Sequence, residues 1–559
     1  MQLNGSQMIL EALKTENIDI VFGYPGGAAL NIYDETFKQN HFKHILVRHE
    51  QAAIHAADGY ARVSGKVGVA FVTSGPGITN AVTGIATAYA DSIPLVVISG
   101  QVSMSLIGTD AFQEIDAVGI TRSCTKHNFL VKDITELPKI LKQAFYIAKS
   151  GRPGPVHIDI PKDVSAAVGE FQYLDEISMI TYKPNYIGNQ KQIKKTITAI
   201  EEAKKPLFYI GGGVIASNAS LEVRELVSKT QIPAVETLMG LGVLKSDDEL
   251  NLSMAGMHGS YVANMALSEC DLLISLGARF DDRITGKLSE FAKSAKIIHI
   301  DIDPTSISKI VNVNFPIVGD IKNVVCEMLN LISNVNPDNY LMWRENLKTY
   351  NQVHPLNYKD SEKPLKPQWV IKETAKIVGD DSIIVTDVGQ HQMWVAQFYP
   401  FKNPRQFITS GGLGTMGYGL PAAMGAKFAK PNLKVVNFSG DGGILMNIQE
   451  LLTCAENKIP VINIILNNNF LGMVRQWQTM FYGERYSSTD LSFQPNFQKL
   501  VEGFGGVGYK CENKDEFKKA LRDALKSNKV TFIEVKIDRK ENVLPMVPAG
   551  GAIYNMILE

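Results

Sequence analysis

The sequence predicts an α/β protein of three domains, two of them copies of one parallel-sheet fold placed on either side of a third. Three observations predict it. Short β-branched apolar runs alternate with amphipathic helical patterns along the chain, which builds βαβ units and a parallel sheet covered on both faces. Motifs from the first hundred residues return near the carboxyl end at an almost constant offset. Finally, 559 residues ask for about three domains at roughly 100–200 residues each.

In the first copy, Ile20–Phe22, His44–Val47, Val67–Thr73 and Pro94–Ser99 read as strands with helices between them. The same grammar returns at Ile383–Thr386, Gln406–Thr409, Lys434–Phe438 and Val461–Leu466. Ala56-Ala57, Gly59, Ser74-Gly75-x-Gly77 and Ile93-Pro94 correspond to Ala422-Ala423, Gly425, Ser439-Gly440-x-Gly442 and Ile459-Pro460, at offsets of 365 or 366 residues. Two compensating one-residue indels reconcile them, which points to duplication. Between the copies lies a third α/β unit with Pro206–Ile210 before Gly211-Gly212-Gly213, Leu272–Leu276 before Gly277, and Ile297–Ile302. Phe171–Tyr186 and Asn334–Leu365, where periodicity fades and Pro, Asn and charged residues collect, read as linkers. The expected domains are therefore 1–170, 190–335 and 366–559.

Composition narrows the function class. Hydrophobic residues make up 45% and charged residues 20%, so the chain can fill several cores and is not globally disordered. The 56 Lys and Arg balance 57 Asp and Glu, leaving no field that favours nucleic acid or an anionic membrane. Five scattered cysteines without a C-x-x-C pair argue against a disulfide framework or a zinc site. The start, Met1 to Ser6, lacks a basic segment followed by an apolar one, and no run approaches ~18 apolar residues. A cytoplasmic location is expected.

In open α/β sheets, ligands bind beyond the carboxyl ends of the strands. In the first copy those positions carry Tyr24-Pro25-Gly26-Gly27, Arg48-His49-Glu50 and Ser74-Gly75-Pro76-Gly77. In the second they carry Val388-Gly389-Gln390-His391, Gly412-Leu413-Gly414-Thr415-Met416-Gly417, Gly440-Asp441-Gly442-Gly443 and Asn467-Asn468-Asn469. A lone Gly-Asp-Gly is commonplace. Paired with an Asn run across one helix and one strand, it offers hard oxygen ligands suited to Mg²⁺ that keeps phosphate oxygens as further partners.

Gly440-Asp441-Gly442 followed by Asn467-Asn468 resembles the diphosphate and magnesium motif of thiamine-diphosphate enzymes. More narrowly, Tyr24-Pro25-Gly26-Gly27, Arg48-His49-Glu50-Gln51-Ala52-Ala53, the stretch Gly108 to Glu114, Gly151-Arg152-Pro153-Gly154-Pro155, the stretch Gly277 to Arg283, and Gly472-Met473-Val474-Arg475-Gln476-Trp477 resemble the catalytic subunits of the biosynthetic acetolactate synthase family. The likeness runs from the first helix to Leu544-Pro545-Met546-Val547-Pro548. It implies two thiamine-diphosphate-binding folds, for the pyrimidine and the diphosphate, flanking a central flavin-binding-like domain. It also implies decarboxylation of pyruvate and transfer of the two-carbon unit to a second pyruvate or to 2-ketobutyrate, the first common step of branched-chain amino acid biosynthesis.

The resemblance assigns residues. Glu50 would hydrogen-bond the aminopyrimidine ring, and burial beside that ring would raise its carboxyl pKa so that it favours the imino tautomer. Tyr24, Pro25, Gly26 and Asn80 would border the same ring. Met416 would support the bent cofactor, the Gly414 carbonyl would take its amino group, and Val388, Gly389, Gln390, His391, Gly440, Gly442, Gly443, Gly472 and Met473 would surround the rest. Asp441, Asn468 and the Phe470 carbonyl would hold Mg²⁺. Many family members carry a polar residue at the position of Phe470, a change that a carbonyl ligand tolerates.

Arg283 would hold the acceptor's carboxylate and Trp477 would shape the acceptor pocket, whose preference for one extra methylene is bounded at ~1–3 kcal/mol. Gln113 and Lys162 are further catalytic candidates, with Phe112 and Lys126 close by. By themselves, Arg283 could equally be a solvated ion pair with Asp281 or Asp282, and Trp477 and Met416 could be core residues.

Gly211-Gly212-Gly213 lacks the full dinucleotide spacing. With Arg152, Met257, Arg279, Asp301 and Asp320, however, it resembles the flavin contacts of biosynthetic members, so FAD in a structural role is expected beside thiamine diphosphate and Mg²⁺. The family implies a homodimer or tetramer with interfacial active sites and a small regulatory subunit. Alternatives within the fold are a 2-ketoacid decarboxylase, against which the absence of a His-His pair counts, and an FAD-dependent pyruvate oxidase. A non-catalytic regulatory paralogue is countered by the retention of Glu50, Asp441 and Asn468.

Overall fold

The computed structural model describes residues 1–332 and 335–559. The amino-terminal domain holds β1 (Gln2–Asn4), β2 (Ile20–Gly23), β3 (Lys43–Leu46), β4 (Gly68–Val72), β5 (Leu95–Gln101), β6 (His127–Leu130), β7 (Pro155–Pro161) and β8 (Val168–Glu170). Six of these form a parallel sheet in the order β3-β2-β4-β5-β7-β6, and β1 pairs antiparallel with β8. The middle domain holds β9 (Pro206–Ile210), β10 (Ala234–Glu236), β11 (Asn251–Met254), β12 (Leu272–Leu276), β13 (Lys296–Asp301) and β14 (Phe315–Val318). The last domain holds β15 (Ser382–Thr386), β16 (Phe407–Ile408), β17 (Lys434–Gly440), β18 (Ile462–Asn467), β19 (Val507–Cys511) and β20 (Thr531–Lys536).

The order in the last sheet is β16-β15-β17-β18-β20-β19, all parallel. Counted within each domain, this is the order of the first sheet, so the two ends share a topology as well as motifs. The middle sheet runs β11-β10-β9-β12-β13-β14. Counted locally that is 3-2-1-4-5-6, the doubly wound order whose crevice at the switch point takes dinucleotides. The switch point lies between β9 and β12, where Gly211 and Gly277 end their strands.

One apolar core unites the two copies. It includes Phe22, Ile54 and Ala57 from the first and Val385, Met424 and Ile465 from the last. At its centre, helix Glu50–Ser64 crosses helix Gly419–Ala429. A Cβ on Gly59 would overlap the Ala422 carbonyl, and one on Gly425 would overlap the Ala56 carbonyl. These two contacts exchange under the duplication offset, so the helices meet about an internal pseudo-two-fold axis. Arg405 ties all three domains: its guanidinium donates to Arg62 O at 2.8 Å, to Ile215 O at 3.1 Å and to Asn218 Oδ1 at 2.9 Å.

The second linker is corrected by the structure. Its first residue, Asn334, lies outside the described residues, but Leu341–Val353 is a helix that packs on the middle domain, with Trp343 and Leu347 buried and Trp343 Nε1 donating to Pro206 O at 3.1 Å. Its apolar face is narrow and set among Lys, Asn, Gln and Glu, which hid the period. Phe171–Tyr186, by contrast, contains no helix or strand, though Phe171, Tyr173, Met179 and Tyr182 lie against the first domain's core.

Candidate active site

Glu50 is the first residue of its helix, which His49 caps by accepting the Gln51 amide. It is 8% exposed, and its Oε2 accepts Asn80 Nδ2 at 3.0 Å. Gly75 lies against the Gln113 backbone and Gly77 against the Glu50 carboxyl, so Glu50, Asn80 and Gln113 are grouped around one turn. Gly26 packs on Thr73, whose buried Oγ1 has no partner. Burial and the Glu50 charge hold the Tyr33 phenol far above its ordinary range. Tyr24 and Lys162 are exposed, and Asp163, next to Lys162, accepts Met104 N at 3.1 Å, tying the loop that carries Phe112 and Gln113 to the end of β7. Lys126 is set apart: its amine, pushed down to about 8 by burial, donates to the Ile147 and Ser150 carbonyls at the end of a helix.

Three backbone amino-terminal ends converge in the last domain, where exposed N–H groups attract anions. They belong to helix Gln390–Phe398, to the turn at Gly443 and to helix Gly472–Phe481. Asn468 Nδ2 donates to Gln390 Oε1 at 3.2 Å, Gly472 packs on both side chains, and His391 lies against Gly389 and Gly440. Burial pushes the His391 imidazole down to about 3, so it is neutral, and its Nε2 has no partner. Asp441 is buried, accepts from Gln494, and is pushed up to about 6 by desolvation. Asn468 Oδ1 faces the Phe470 amide at 3.1 Å. Among the described residues no group of three or more His, Cys, Asp or Glu stands together, so a cation here would have one carboxylate and otherwise neutral oxygens. Met416 Cε approaches Gly442, and Gly414 faces the Val388 side chain.

In the middle domain, Gly211 and Gly213 pack directly on the Gly277 turn, with Gly213 N donating to Gly277 O at 2.9 Å, so close backbone approach already accounts for both, and Gly212 abuts Met239. Asp320 caps a helix through Asn323 N at 3.2 Å, and Asp301 accepts Asp303 N at 2.8 Å. Arg152 binds Ser92 Oγ at 2.8 Å and pairs with Asp303 at 3.3 Å, while Arg279 is exposed. Arg283 is exposed, 3.8 Å from Asp282, with Met257 Sδ 3.6 Å from its Nη1. Trp477 stands edge-to-face with Phe481 at 5.9 Å.

The chain matches three thiamine pyrophosphate enzyme domains: the N-terminal TPP-binding domain over residues 3–120, the central domain over 193–328 and the C-terminal TPP-binding domain over 387–535. It is 47% identical to the acetolactate synthase large subunit of Haemophilus influenzae, with 100% of this chain and 98% of that protein covered. It is 46% identical to acetolactate synthase isozyme 3 large subunit of Escherichia coli K12, again over 100% and 98%. A probable acetolactate synthase large subunit of Methanocaldococcus jannaschii is 47% identical, with 99% and 95% covered. The chain belongs to the acetolactate synthase large-subunit family of thiamine-diphosphate enzymes.

Seen as an acetolactate synthase large subunit, the chain has polar residues at its sites that sequence reasoning passed over. Asp387, fully buried and pushed up to about 6, accepts Val388 N at 2.7 Å, Gly417 N at 3.1 Å and Gly419 N at 3.2 Å, and so binds two of the turns together. A carboxylate directly after β15 was a visible signal, the same one that marked Asp441. Thr237 and His258 each bury an unpartnered polar atom in the middle domain. No motif marked Thr237, whereas His258 stands beside Met257 in the stretch Met254 to Gly259 that resembles flavin contacts.

Proposed function

We propose that the chain converts two pyruvates to 2-acetolactate and carbon dioxide, and pyruvate with 2-ketobutyrate to 2-aceto-2-hydroxybutyrate. The observation that carries this reading is the cluster of Asp441, Asn468 and three free helix and turn amino termini, set in a chain related over its full length to acetolactate synthases. Thiamine diphosphate supplies the carbanion chemistry, as an electron sink beside the bond being broken.

The chain's residues bind and orient. Val388, Gly389, Gln390, His391, Gly443, Gly472 and Met473 would receive the diphosphate on backbone N–H groups. A buried carboxylate with a raised pKa fits a cation, so Asp441, Asn468 and the Phe470 carbonyl would hold Mg²⁺. Glu50 would hold its proton toward the aminopyrimidine, with Asn80 fixing the carboxyl's orientation, and Gln113 and Lys162 would face the ketoacid. Arg283, freely exposed, would bind the acceptor carboxylate. The middle sheet's strand order, with the orphaned Thr237 Oγ1 and His258 Nδ1, fits FAD between Arg152, Met257, Arg279 and the β9 and β12 turns.

Two features support a homodimer. Among the described residues, no hydrogen bond or ion pair joins Glu50, Asn80 or Gln113 to the loops holding Met416 or Asp441. Apolar groups are also exposed near both halves, among them Phe112 at 88%, Met446 at 53% and Val474 at 51%. A second copy would bring the halves together. The relatives' designation as large subunits supports a smaller regulatory partner. Among the described residues no helix is long and apolar enough to cross a membrane.

Product analysis with pyruvate, thiamine diphosphate, Mg²⁺ and FAD tests the reading. Acetolactate is expected, whereas acetaldehyde, or acetate with peroxide, would replace it with a decarboxylase or an oxidase.

A further inference from the structure

The segment Gly411–Tyr418, which carries Gly414 and Met416, is held at both ends by the first domain of its own chain. Asp91, the last residue of helix Pro76–Asp91, accepts Gly411 N at 3.0 Å and Gly412 N at 2.6 Å. Asp58 accepts the Tyr418 hydroxyl at 2.6 Å. Between the two carboxylates lies Arg62, with Nε 2.6 Å from Asp58 and Nη2 2.8 Å from Asp91, its guanidinium over the Tyr418 ring. Thr87 Oγ1 meets Thr415 Oγ1 at 2.7 Å in the middle of the segment. The side chains of Asp58 and Asp91 are wholly buried and that of Arg62 is 5% exposed.

Burying such a triad costs desolvation that apolar residues of similar volume avoid. The duplication supplies an internal control. At the offset that pairs Gly59 with Gly425, Asp58 corresponds to Met424, which lies in the apolar core, and Arg62 to Phe428, which packs against it. The helix crossing therefore does not require charge at these positions. What differs between the copies is the partner: only Asp58, Arg62 and Asp91 reach a glycine-rich segment whose backbone N–H groups need acceptors.

We propose that Asp91, seated by Arg62 and Asp58, is a positioning residue that fixes Gly411–Tyr418 in the shape thiamine diphosphate requires. The proposal rests on the reading that this segment borders the cofactor. Each domain-one triad thereby serves the diphosphate half of its own chain, while the opposite end of the same helix carries Asn80 beside Glu50.

The test is titration calorimetry of thiamine diphosphate with Mg²⁺ into the full-length protein. Asp91→Asn, which presents an amide toward Gly411 and Gly412, should raise the cofactor's Kd at least tenfold while the KM for pyruvate at saturating cofactor stays within twofold. Thr87→Val, a milder member of the same clamp, should raise Kd at least threefold and decides the matter if Asp91→Asn does not fold. A purely structural role would lower the unfolding temperature and leave Kd alone, and that result in the folded variants overturns the proposal. Met416→Ala separates the two possible failures. If its Kd is unchanged, the segment's place at the cofactor falls, and the clamp with it; if its Kd rises while the clamp variants match the wild type, the clamp alone falls.

Discussion

Glu50 combines burial, a helix amino terminus and a side-chain partner, Asn80 at 3.0 Å, which together hold its carboxyl in one orientation. Glu50→Gln keeps shape and hydrogen bonding but cannot hold the acid proton. It should lower turnover roughly 10²–10⁴-fold with Mg²⁺ and diphosphate binding kept, as steady-state rates and cofactor titration would show. Trp477→Leu removes the ring that stands against Phe481. Since a methylene is worth ~1–3 kcal/mol, the variant should lose much of a roughly 10–200-fold preference between 2-ketobutyrate and pyruvate, read from product ratios in competition. Residue chemistry of this kind was legible where a motif carried it: Asp441 with Asn468 could be paired from spacing. Asp387 was not picked out, because its partners, the Gly417 and Gly419 amides, lie on another strand's connection.

At the scale of elements, the crossing of Glu50–Ser64 with Gly419–Ala429 depends on backbones in direct contact. Gly425→Ala should destabilise the protein by ~1–3 kcal/mol through overpacking against Ala56, and Gly59→Ala should do the same against Ala422. Gly503→Ala, whose added methyl would meet nothing, is the matched control in thermal unfolding. Four strands of each copy were readable from their short apolar runs, and in the middle domain β9 and β12 appear with the bounds read from the sequence. Helix Leu341–Val353 was not readable, since only Trp343 and Leu347 of its thirteen residues are buried and no strong 3.6-residue stripe results.

At the scale of the whole molecule, burial sets a pH dependence. Asp159, Glu236 and Glu450, one in each domain, are pushed up to about 7 by desolvation. Their ordinary values lie near 4, so between about pH 4 and 7 the native protein holds protons that the unfolded chain has released, and stability falls as pH rises through that window. One such group changes stability by up to about 4 kcal/mol across that window. Glu236, which accepts Leu244 N at 2.9 Å and Asn251 Nδ2 at 3.0 Å, is the simplest to isolate. The unfolding temperature of the cofactor-free protein should drop from pH 5 to pH 8, and drop less in Glu236→Gln. By itself the sequence determined the α/β class, the duplication, the turns that carry chemistry and the family likeness, because periodicity, turn residues and motif spacing are local properties of the chain. The tertiary structure alone decided that Asp91 meets Gly411, that Asp58 meets Tyr418, and that Arg62, between the two carboxylates, lies over the Tyr418 ring. Those relations join residues more than three hundred positions apart, and they follow from the angle and closeness at which two helices pack, which no local pattern encodes.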